Sequence, residues 1–143
     1  MIEKLLKIQQ ELKVPKNRTN TFGGYKYRSC EDIVDASKPL CHREGLVLTL
    51  SDEVVEVGGR VYVKAVAQLV DSEKNYLTAF GYAREAETKK GMDEAQITGS
   101  ASSYARKYAL NGLFAIDDVA DPDATNTHDK DKSVTPANND FKI

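Results

Sequence analysis

The stretch "LVLTLSDEVVEVGGRVYVKAVAQLVD", residues 46–71, restricts the fold more than any other part of the chain. Two runs rich in valine and leucine flank Gly58-Gly59, the composition favoured by a two-residue type I′ turn, in which both central residues take positive φ. An antiparallel hairpin is predicted, with Val57 facing Arg60, Val55 facing Tyr62 and Glu53 facing Lys64. Side chains alternate between the faces of a strand, so this register gives Leu46, Leu48, Leu50, Val54, Val61, Val63, Ala65, Ala67 and Leu69 to a core face. Thr49, Ser51, Glu53, Arg60, Tyr62, Lys64 and Gln68 fall on the other, which is wet or touches something else. "SEKN" supplies a second turn, and "YLTAFGYAREA" reads as a third antiparallel strand.

Helical patterns bracket this sheet. Residues 2–13 set Ile2, Leu5, Leu6, Ile8, Gln9 and Leu12 on one stripe, and Pro15 stops the pattern. The polar segment "KNRTNTFGGYKYRS" that follows is expected to be irregular. Ser29 with Asp32 three residues later is a capping-box variant. It opens a helix through Ile33, Val34, Leu40 and Cys41 to Arg43, ended by Gly45, with Pro39 inside it expected to kink or split it. Asp93 and Glu94 suit the positive N-terminus of a last helix, which Asn111-Gly112 is expected to close. From Asp117 onward polar residues dominate and periodicity vanishes. The expectation is an α+β domain over residues 1–116, a β-β-β-α core with a three-stranded antiparallel sheet packed with helices, and a disordered acidic tail over 117–143.

Cys30 and Cys41 fall in one helical region, where eleven residues separate their Cα atoms by about 16 Å, too far for a disulfide. They are read as free thiols, and with His42 and His128 as the two histidines no zinc pattern arises. No apolar run approaches the roughly 20 residues of a membrane span, and "MIEKLLKIQQELKV" lacks the features of a signal peptide, so the expected compartment is the cytoplasm. Seven acidic and three basic residues follow residue 116, net −4, leaving seventeen basic and fifteen acidic before it, net +2. A mildly basic body with an acidic tail is compatible with a phosphate-binding patch.

The oddest stretch is "GSASSYARKYALNGLFAIDD", residues 99–118. On a helix, Ile97, Ala101, Tyr104, Ala105 and Tyr108 share a face suited to packing on the sheet. Gly99, Ser102, Ser103 and Arg106 lie on another, with Lys107 adjacent. Small residues permit close approach of another backbone, of protein or of nucleic acid, and Arg106 and Lys107 at the rim can hold phosphates. An exposed Arg-Lys pair that is merely solvated is the competing reading.

This stretch resembles the hallmark helix of the Erf (essential recombination function) family, the single-strand annealing proteins of bacteriophage recombination systems. "YKYRSCEDIVDASKPLCHREGL" is similar to the family's upstream segment, with Cys41 where an aliphatic residue is commoner. The resemblance covers roughly residues 1–118. It implies a core related to that of the ring-forming eukaryotic strand-annealing mediator, a homo-oligomeric ring or filament, and single-stranded DNA held in a basic groove with bases exposed. It implies that no ATP is used, in agreement with the lack of a G-x-x-x-x-G-K-[ST] loop; no cofactor is expected, and the lack of a well-placed His or Lys base adds the expectation of no enzyme activity. A phage exonuclease and a host or phage single-strand-binding protein are the implied partners, in the cytoplasm of a bacterial host.

Such a binder needs cations for phosphates and rings for bases. Arg106 and Lys107, with Ser103 beside them, are the candidates for the groove floor. Tyr25, Lys26, Tyr27 and Arg28 alternate rings with cations and form a second candidate region. Arg60, Lys64, Arg84, Lys89 and Lys90 are candidates for the wall. Lys64 equally suits pairing with Glu53 across the hairpin, Arg60 and Lys89-Lys90 suit plain solvation, and Tyr104 and Tyr108 are read as core. Asp117, Asp118, Asp121 and Asp123 suggest two alternatives, a hard-cation site in a small nuclease or the acidic edge of a tail that competes with DNA or recruits a partner. A protein-interaction module that binds no DNA is the third reading.

Overall fold

The Gly58-Gly59 turn closes with φ of 58° and 80°, and the register it sets is the expected one: Val57 opposite Arg60, Val55 opposite Tyr62, Glu53 opposite Lys64. The computed structural model describes residues 1–87 and 91–116. Lys89, Lys90 and the whole 117–143 segment, including its aspartates and its expected disorder, lie outside the described residues. Among those described, the order is α1 (Ile2–Glu11), β1 (Arg18–Asn20), β2 (Tyr25–Tyr27), α2 (Cys30–Arg43), β3 (Val47–Val57), β4 (Arg60–Val70), β5 (Tyr76–Arg84) and α3 (Glu94–Phe114). β3, β4 and β5 form one antiparallel sheet with β4 in the middle, and β1 and β2 form a separate small ribbon. The fold is α+β.

α3 lies across β4 and β5 with almost no space between backbones. A Cβ added at Gly81 of β5 would collide with the Ala105 carbonyl oxygen and the Ala109 nitrogen. Ala101, Ala105 and Ala109 are the buried residues of α3 over the sheet, and Leu110, Leu113 and Phe114 join Ile8, Ile33, Cys41 and Leu46 in the same core. The alanines of this helix therefore serve close helix-to-sheet packing, whereas Gly99 meets open space and Ser103 is exposed.

Several expectations need correction. Val54 belongs to the core face by alternation but is 70% exposed, because α3 covers β4 and β5 and leaves that part of edge strand β3 open. Ile2 and Leu6 are exposed, so α1 packs through Ile8, with Leu12 and Val14 just beyond its end. α2 is one helix through Pro39; the missing N–H removes one backbone bond, while buried Ile33, Ser37 and Cys41 hold the helix on both sides. α3 passes the expected Asn111-Gly112 stop because Leu113 and Phe114 are buried, and it ends on Ala115 in the left-handed region at φ 50°. The segment expected to be irregular contains the β1–β2 ribbon, paired from Arg18–Tyr27 to Asn20–Tyr25.

The predicted capping box of α2 is present, and α3 has one beyond that expectation. Ser29 Oγ accepts from the Asp32 N–H and Asp32 accepts from the Ser29 N–H, and Asp93 and Gln96 form the same box at α3. Both cysteines are free and buried. Burial pushes the Cys41 thiol up to about 11, a value at which it is inert as a nucleophile near neutrality.

Candidate nucleic-acid interface

The β1–β2 ribbon is fastened at its base. Arg18 donates twice to Asp32, Nε at 2.7 Å and Nη2 at 3.0 Å, tying the ribbon to the N-terminus of α2. The Arg18 bonds, helped by the Ser29 backbone and hydroxyl, hold the Asp32 carboxyl well below the usual carboxylate range despite some burial. The ribbon is thus an arm of fixed direction, and it carries Tyr25, Lys26 and Tyr27.

That arm meets α3 at Lys107. Lys107 Nζ donates to the Arg28 carbonyl at 3.0 Å and lies 5.6 Å from the ring centroids of both Tyr27 and Tyr104. Tyr25 stands edge-on to Tyr27 with centroids 6.3 Å apart, and Tyr104 stacks with Tyr108 at 6.4 Å. A single ammonium therefore sits between two tyrosine pairs drawn from stretches nearly eighty residues apart. Burial, followed by the nearby charges of Arg28 and Lys16, lowers the Lys107 pKa. Tyr104 and Tyr108 are 47% and 51% exposed, contrary to their reading as core. They flank β5 where the sheet ends, and with Tyr82, Arg84 and Ser100 they line an open hollow at that edge.

Arg106 points elsewhere. Its Nε and Nη2 donate to Asp52 of β3 at 2.9 and 3.2 Å, and Ser102 Oγ donates to the same carboxylate at 2.6 Å. Burial disfavours the Asp52 charge, but the Arg106 and Ser102 bonds outweigh it and keep the carboxyl below its ordinary value. Arg106 is therefore engaged as a brace between α3 and β3. The signal for Asp52 in the sequence is a carboxylate that alternation puts on the inner face between Leu50 and Val54.

The other candidates separate. Arg28 is 5% exposed and presents its carbonyl, not an open guanidinium, to Lys107. Lys26 is exposed on the ribbon between the two tyrosines, and Ser103 is exposed on α3. Arg60 lines a hollow with Glu94 and Thr98 of α3, and Arg84 lines the hollow beside Tyr104 and Tyr108, while the register places Tyr62 and Lys64 on the sheet face turned away from α3. There Lys64 Nζ lies 4.0 Å from Glu53 and 4.3 Å over the Phe80 ring, the cross-hairpin pairing that the sequence allowed. Phe22, at the ribbon tip, is fully exposed; the signal in the sequence was a phenylalanine set between Asn20 and two turn glycines.

This arrangement suits a polyanion bearing planar rings. A partly desolvated ammonium attracts phosphate more strongly than one in bulk water, and flanking tyrosines offer sequence-tolerant surfaces for bases. Among the described residues no group of three or more His, Cys, Asp or Glu is placed to hold a metal, and no helix is long and apolar enough to cross a membrane.

Comparison with known proteins bears on the same reading. The family model described as ERF superfamily matches residues 1–142. The "Essential recombination function protein" of Salmonella phage P22 is 54% identical over 134 residues, which cover 94% of this chain and 63% of that protein. The chain thus spans less than two thirds of the length of this relative.

Proposed function

This chain belongs to the ERF superfamily, and from that premise we propose that it binds single-stranded DNA without ATP and anneals complementary strands in phage homologous recombination. The observation that carries the reading is Lys107 held between the Tyr25–Tyr27 and Tyr104–Tyr108 pairs. Annealing requires a grip that neither reads sequence nor hides the pairing edges of the bases. A lysine on phosphate supplies affinity common to every sequence, and a tyrosine stacked on a base leaves its hydrogen-bonding edge free. The role is binding and pairing, with no bond in the DNA made or broken. Recombination is supported by the similarity to the P22 protein, whose name states that function.

Self-association belongs to the same proposal. The sheet face away from α3 exposes Val47, Val57, Tyr76, Phe80 and Tyr82, a patch suited to protein contact. Among the described residues the outer edges of β3 and β5 pair with no further strand. Unlike edges on one subunit permit head-to-tail contacts, which close into rings or extend as filaments.

The test mixes complementary labelled oligonucleotides at low salt without nucleotide or metal. The chain is expected to accelerate pairing, and Lys107→Ala to lose most of the acceleration while keeping its circular dichroism spectrum. A chain with no affinity for unpaired strands at low ionic strength contradicts the proposal.

A further inference from the structure

We propose that Phe22 is a stacking finger that inserts between neighbouring bases of the bound single strand; this rests on the single-strand binding proposed above. The ring is 100% exposed, so it forfeits all hydrophobic burial within the subunit. The turn beneath it is nevertheless tightly built. Asn20 Oδ1 accepts from the N–H groups of Phe22 at 2.8 Å and Gly23 at 3.0 Å, and the Gly24 N–H donates to the Asn20 carbonyl at 2.7 Å. Asn20 Nδ2 donates to the Tyr25 hydroxyl at 2.9 Å, and the Tyr25 ring packs against Gly23. At the opposite end Arg18 clamps the ribbon to Asp32. An apolar ring in open water on a braced support is preorganised for a partner, because little freedom remains to be lost on contact.

The position of the finger identifies the partner. The ribbon that ends in Phe22 carries Tyr25 and Tyr27, and Tyr27 lies beside Lys107. From the Arg18–Tyr27 pair to the Asn20–Tyr25 pair the ribbon advances two residues, about 7 Å, and Phe22 follows in the turn at its tip. A strand with one phosphate at Lys107 that follows the ribbon past Tyr27 and Tyr25 runs toward the Phe22 ring. Apolar wedges of this kind separate stacked bases. Insertion here divides the strand into short stacked segments and keeps it from folding on itself, so that its bases stay available to a complement.

The chain contains no tryptophan, so Phe22→Trp creates a single fluorescent reporter at the fingertip. Its emission is expected to be that of a solvent-exposed indole in the free protein, and to be quenched by oligo-dT in step with the anisotropy of the labelled strand. Phe22→Ala is expected to bind about tenfold more weakly, with Phe22→Trp close to the wild type. Because the ring is fully exposed among the described residues, neither change is expected to disturb the fold. Wild-type binding with an unaltered Phe22→Ala affinity, or indole emission unmoved at saturation, overturns the finger and leaves the binding proposal standing. Emission shifted to the blue before DNA is added, with Phe22→Ala breaking up the assembly, identifies a contact between copies instead and also overturns it. Absence of wild-type binding removes both proposals.

Discussion

Lys107 and Arg106 are adjacent in sequence and divide the work of their helix between them. Lys107 has its aliphatic stem among other side chains and its ammonium between two rings, whereas Arg106 is fastened to Asp52. Removing Lys107 is expected to lower single-strand affinity and to reduce the salt slope by about 0.7, the value of one phosphate contact on a single strand. Arg106→Ala is expected to leave that slope unchanged and to lower stability by about 1 kcal/mol, as breaking a half-exposed ion pair does; Asp52→Ala should do the same, and the double variant should add little. Titration and denaturant melts of the four proteins decide this. The lowered Lys107 pKa also has a sign. A base with a lowered pKa loses its charge sooner as pH rises, so affinity for an oligo-dA strand should fall before pH reaches the free lysine value of about 10.4. Lys107→Arg, charged throughout, should abolish that fall.

At the scale of elements, the contact of α3 with β5 and the clamp on the ribbon are separable. Gly81→Val forces side-chain atoms into the α3 backbone and is expected to cost about 1–3 kcal/mol, the range of overpacking, visible as a lower urea midpoint. The ribbon clamp depends on the Asp32 charge. Its depressed pKa means that the clamp's contribution is complete above the ordinary aspartate value of about 3.9 and disappears as pH falls through the lower folded value. Tyrosine ring signals of Tyr25 and Tyr27 should therefore hold their native shifts at pH 4 and move only in stronger acid. The β3–β4 register was legible because alternation and a Gly-Gly turn speak for the same pairing. The β1–β2 ribbon was not, since three-residue strands are too short to show a period. The expected sheet-facing side of α3 holds at Ile97, Ala101 and Ala105, which are buried, and fails at Tyr104 and Tyr108, because the buried side shifts along the helix to Ala109 and then to Leu110, Leu113 and Phe114. The two halves of the candidate site were each visible as cation-aromatic clusters. Their meeting at Lys107, and the capture of Arg106 by Asp52, depend on contacts fifty to eighty residues apart that no local pattern encodes.

Among the described residues of the whole molecule, α3 covers one sheet face and leaves the other bare. Phe80 and Tyr82 on the bare face are half-exposed, which is costly for an isolated subunit and is relieved by a neighbour. Phe80→Lys is expected to shift sedimentation toward smaller species and to weaken annealing more than it weakens binding of a short oligonucleotide, because a short strand needs one subunit and pairing needs a row of them. Annealing by this chain depends most on a grip that feels phosphate and ring but not base identity. The most direct measurement is the affinity of the wild type and Lys107→Ala for oligo-dT, oligo-dA and a mixed strand across a salt series. The account predicts similar wild-type affinities on all three, falling linearly on logarithmic axes, with a shallower line for Lys107→Ala on each. Strong preference for one strand, or parallel lines for the two proteins, contradicts it.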